Sequence, residues 1–71
     1  MTITKKQWQQ LEKDAWAHAR ADGDSINHPK DEAIHIAAVG LDRYSKSDLY
    51  EAGQKFADKE TWPFLAYRLN R

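Results

Sequence analysis

Core-forming side chains are scarce in this sequence, and that scarcity constrains the fold more than any motif does. Of the 29 apolar residues ten are alanine, which leaves nineteen larger side chains to exclude water. Ordering a residue costs roughly 1.5 kcal/mol, and in so short a chain burial and ordering come out near balance. Small domains close that gap with disulfides, a structural metal or a second chain. The 71 residues include no cysteine, so a homodimer or a complex with a partner protein is the expected remedy.

The missing cysteine also points to a reducing compartment. Met1-Thr2-Ile3-Thr4-Lys5-Lys6 has no apolar run behind it, so no signal peptide is expected. The most apolar stretch, residues 33–41, spans nine residues and is interrupted by His35. It is too short to cross a bilayer. A cytoplasmic location is the expectation. Eleven Lys and Arg balance eleven Asp and Glu. Domains that coat phosphate carry a basic excess, so this balance counts against nucleic acid as the main ligand.

The residues divide into helix-sized segments. Thr4 with Gln7 forms a capping-box pattern, and Trp8, Leu11, Ala15 and Ala19 share one face. This predicts a helix over 4–21. Turn formers follow from Asp22 to Asn27, and Pro29 suits the first position of a second helix with Asp31 and Glu32 in its first turn. Ile34, Ala37, Ala38 and Leu41 lie on one side and are expected to face the bundle. Gly40 is read as the left-handed residue that ends this helix after Val39, with Leu41 folded back onto Ile36. Ser45 or Ser47 caps a third helix carrying Leu49, Ala52, Gly53 and Phe56 and ending near Asp58. Pro63 opens a short fourth helix. The β-branched Ile34, Ile36 and Val39 also allow a strand over 33–39, but one strand makes no sheet without a second chain. The fold class expected is therefore all-α, a single domain over 1–71 with three helices and a short C-terminal fourth.

Catalytic patterns are missing. There is no cysteine nucleophile, no Gly-x-Ser-x-Gly elbow and no glycine-rich phosphate loop. An enzyme is not expected, and no cofactor is. His28, Asp31 or Glu32, and His35 have helical spacing for a metal, but His28 precedes Pro29 and falls outside the helix. The loop from Asp22 lacks the glycine and glutamate of a calcium loop. No metal is assigned.

Surface aromatics give the remaining signal. Trp16 lies roughly 80° from Trp8 around the first helix. On the second, Ile36 and Val39 point away from the Ile34 face, roughly 200° and 140° from it. Such a helix is central in the bundle or docked on a partner. Trp16, Ile36, Val39, Trp62, Tyr67 and Arg68 are therefore the candidate partner-binding residues, being of types that interfaces favour. The function expected is a small non-enzymatic interaction protein, a regulator, inhibitor or accessory subunit of bacterial or phage type.

Two short resemblances bear on this. Ser45-Lys46-Ser47-Asp48-Leu49 resembles the start of the second helix of ribbon-helix-helix repressors. With the short turn that joins helices two and three, as in many helix-turn-helix units, it supports the alternative function, a small dimeric DNA-binding regulator using the helix 2–helix 3 hairpin. The strand which that family needs would fall in the 24–28 loop, and Ile36 stands where its pattern has alanine. Asp48-Leu49, Ala52-Gly53, Phe56, Pro63, Ala66 and Arg71 follow a pattern similar to the theta subunit of bacterial DNA polymerase III. Residues 1–40 do not match that family. The resemblance implies an accessory subunit that binds a nuclease subunit.

Overall fold

The computed structural model describes residues 2–70; Arg71, the last position of the theta-like pattern, lies outside them. Among the described residues there are four helices and no strand: α1 (Lys5–Ala21), α2 (Pro29–Leu41), α3 (Lys46–Phe56) and α4 (Trp62–Leu69). None is long and apolar enough to cross a membrane.

Helix α1 follows its sequence closely. Thr4 Oγ1 accepts the Gln7 N–H at 3.1 Å while Gln7 Oε1 accepts the Thr4 N–H at 2.9 Å, so the capping box is formed. Ile3 and Trp8 flank it at the two positions of a hydrophobic staple, and both are buried. Trp8, Leu11, Ala15 and Ala19 form the buried stripe. The helix stops at Gly23, whose φ is +77°. There the Gly23 N–H bonds to Arg20 O and the Asp24 N–H to Ala19 O, which is the Schellman pairing.

Helix α2 corrects two expectations. Gly40 does not end it, since the helix runs to Leu41 and Gly23 is the only glycine with positive φ. Instead Gly40 makes room. A Cβ there would meet Leu49 Cδ2 at 2.7 Å, so α3 approaches α2 closely at this point. The buried face is also rotated from the expected one. Ala33, Ile36, Ala37 and Gly40, at helical spacing, are buried together with Val39, whereas Ala38 and Leu41 are exposed. The physical reason is position. Helix α2 packs against α1, α3 and α4, and a helix apolar on several sides gives no single face to read.

Ser45 caps α3 by accepting the Asp48 N–H, and Leu49, Ala52 and Gly53 bury its inner side. Gly53 admits the ring of Trp62, whose Cζ3 would lie 2.6 Å from an added Cβ. Helix α4 begins with Trp62 and Pro63 and buries Leu65 and Leu69 against the rest. Arg43 Nη1 reaches Asp14 Oδ2 at 2.6 Å, fastening the α2–α3 link to α1. That bond is the main reason the Asp14 carboxyl sits below its ordinary range.

An acidic cleft beside Trp16 as the candidate functional site

Three carboxylates from separate parts of the chain converge beside Trp16: Glu12 of α1, Glu32 in the first turn of α2, and Asp58 between α3 and α4. Glu32 is held by Thr61, whose Oγ1 donates to Glu32 Oε2 at 3.1 Å. Thr61 is the N-cap residue of α4 and is fully buried, yet its side chain caps nothing. A hydroxyl at that position ordinarily accepts a helix N–H; here it is turned to the carboxylate. Glu12 lies by the indole of Trp8. The Trp8 Nε1–H is buried and falls short of hydrogen-bond geometry, but it is near enough to favour the charged carboxylate.

That favourable contact is outweighed. The Glu12 carboxyl is raised above its ordinary value of 4.5, first by loss of water and then by repulsion from Glu32 and Asp58. Glu32 is raised too, chiefly by loss of water, with Asp58 adding repulsion and the Thr61 bond opposing both. The ion pairs of the described residues lie elsewhere: Arg43 with Asp14, Lys55 with Glu51, and two histidine–aspartate contacts. Half-buried carboxylates with a like charge nearby, as Glu12 and Glu32 are, disfavour their own ionisation. A cation entering between them would reverse that penalty.

The walls suit such a guest. Trp16 is 44% exposed and contributes an open aromatic ring. The cleft continues past Ile26, His28 and Lys59 to Glu60. His28 caps α2, its Nδ1 accepting the Lys30 N–H at 3.0 Å, and its ring meets the Phe64 ring edge-on. Glu32 and Asp58 line this cleft, while Glu12 stands on the other side of Trp16, where α1 also presents Lys6, Lys13 and Arg20.

The sequence-derived candidates are not brought together. Trp16 stands at the cleft. Ile36 and Val39, expected on an outward face, are in the core, because α3 and α4 cover that side of α2 as α1 covers another. Trp62 is half-buried, its ring edge-on to Tyr50 at 5.0 Å between centroids. Tyr67 and Arg68 are exposed on α4, and Arg68 lines a separate groove with Ile34, Ala38 and Leu41. Glu12, Glu32 and Asp58 are not among the partner-binding candidates, and Glu32 is read from sequence only beside His28 and His35 as a metal ligand. Helical spacing cannot pair residues 12, 32 and 58; only the folded chain does. Likewise His35 faces His18 of α1, with Nδ1 atoms 3.0 Å apart, rather than joining His28.

No protein-family model matches the chain, and neither a curated protein nor a solved structure matches it.

Proposed function

We propose that the protein acts by binding, as a non-catalytic interaction module whose cleft takes a lysine or arginine from a basic segment of a partner protein. The observation that carries this is the gathering of Glu12, Glu32 and Asp58 beside exposed Trp16, with the Glu12 and Glu32 carboxyls raised by lost water and by repulsion from Asp58. Carboxylates with raised pKa values in a cleft are a signature of functional sites. Their chemistry selects the guest. A guanidinium can bond two carboxylate oxygens at once, and either cation can lie over the indole ring. The same charges repel phosphate, which counts against the DNA-binding alternative at this site.

A fluorescent oligo-arginine peptide, followed by anisotropy in low salt, tests the reading. Binding should weaken about tenfold in Glu32→Gln and in Trp16→Ala, consistent with loss of roughly 1.4 kcal/mol of a charge-assisted or cation–π contact. Glu51→Gln, whose carboxylate pairs with Lys55 outside the cleft, should leave binding unchanged. Equal losses in all three variants would mean that only general charge attracts the peptide, and the cleft would not be its site.

A further inference from the structure

A second polar cluster lies at the α1–α2 seam, built from residues that take no part in the acidic cleft. His18 and Asp22 are one turn apart at the end of α1, and His35 comes from α2. His18 Nδ1 is 3.0 Å from His35 Nδ1 and 3.7 Å from Asp22 Oδ2. One ligand atom from each of the three residues falls within a 4.8 Å span. His35 is only 6% exposed, while His18 and Asp22 open to solvent. On its far side, His35 Nε2 is 3.6 Å from Asp24 Oδ2. The left-handed turn at Gly23 sets both aspartates in place, because it reverses the chain between them.

We propose that His18, His35 and Asp22 form a site for a divalent transition metal, zinc above others, with Asp24 orienting His35. A neutral imidazole has one N–H and one lone pair. Asp24 draws the His35 N–H to Nε2, so His35 Nδ1 turns its lone pair toward His18. Without a metal, the close Nδ1 pair is bridged by the single proton on His18 Nδ1. A metal takes that place when His18 moves its N–H to Nε2, leaving two lone pairs and a carboxylate oxygen within reach of one ion. No net proton is gained or lost in this exchange between neutral rings.

Two ligands about 2.0–2.1 Å from a tetrahedral ion are about 3.3 Å apart, and the 3.0 and 3.7 Å from His18 Nδ1 lie on either side of that figure. The remaining separation, His35 to Asp22, falls within the 4.8 Å span and closes by a turn of the exposed Asp22 side chain. Two imidazoles and one carboxylate suit zinc and not magnesium or calcium, which prefer oxygen. A carboxylate behind a ligating histidine is the usual outer partner of such sites. The exposed side, between His18 and Asp22, leaves a fourth position to water. The inference does not rest on the acidic cleft.

The test is calorimetric titration of the full chain with zinc chloride, alongside NMR of the histidine rings. One ion should bind per chain, shifting the His18 and His35 rings and leaving His28 in place. His18→Ala, at a half-exposed helical position, should weaken binding at least tenfold, and Asp24→Asn about tenfold. Asp22→Asn removes a ligand with little change of shape and should also weaken binding, which decides the matter if His18→Ala does not fold. Absence of binding at millimolar zinc overturns the proposal. So does binding that leaves the His18 and His35 rings unmoved, or equal affinity in every folded variant.

Discussion

Where α1 meets α2, two polar clusters follow opposite rules. At His18, His35, Asp22 and Asp24, rings that can donate or accept face one another and face carboxylates. At Glu12 and Glu32, carboxylates partly stripped of water are set near exposed Asp58, a third group of the same sign. The first arrangement satisfies its members within the chain. The second sets its members against one another. In a chain with so little core, a cluster that works against folding is informative. In the proposed reading it marks where stability is given up for binding, as strained and charged sites commonly do.

If that contrast is sound, the clusters should answer mutation with opposite signs. The largest effect belongs to His35→Ala. The ring is buried, so its removal leaves a cavity and an unmatched His18, and urea unfolding should show a loss of about 2 kcal/mol or more. Gly23→Val comes next. No neighbour blocks a side chain there, so the penalty is the backbone's alone, about 1–2 kcal/mol for a β-branched residue at positive φ. Gly23→Asn should lose less, because asparagine tolerates this region. If both variants melt like the parent, the turn does not hold the aspartates as described.

The smallest effect has the reverse sign. Glu12 and Glu32 each titrate above the ordinary value when folded, so between that value and the raised ones the folded chain holds more protons than the unfolded chain. Stability therefore falls as pH rises through this window, and the penalty is complete above it. Glu12→Gln and Glu32→Gln should each raise Tm slightly at pH 7, an advantage that fades as the solution is acidified toward the ordinary value of 4.5. The glutamine at 32 keeps an oxygen for the Thr61 hydroxyl. A drop in Tm at neutral pH would place both carboxylates among the stabilising groups and erase the contrast.

The sequence disclosed what is local. The Thr4–Gln7 box and the Trp8-Leu11-Ala15-Ala19 stripe each lie within a few turns of one helix and are present as read, and of the two serines offered as the α3 cap, Ser45 is the one used. Gly23 and Gly40 show where local reading stops. Either could end a helix. Gly23 does so by its φ, while Gly40 remains helical because Leu49 lies against it. Taking Gly40 as the stop and Ile34 as the inward residue turned the face of α2 the wrong way, and Ile36 and Val39 went with it. Both polar clusters were invisible for a related reason. Their members are brought together by packing, and no spacing along the chain joins Glu12 to Asp58 or His18 to His35. Trp16 alone could be singled out, since its angle from the buried stripe is a property of one helix.

Thermal unfolding of the parent and of the Glu12→Gln/Glu32→Gln double variant, each with and without the oligo-arginine peptide at pH 7, tests the central claim most directly. A cleft that trades stability for binding predicts a crossed result. The double variant should melt above the parent when both are alone, and the peptide should raise the Tm of the parent but not that of the variant. A peptide shift of equal size in both proteins, or a variant that melts lower than the parent, would contradict it.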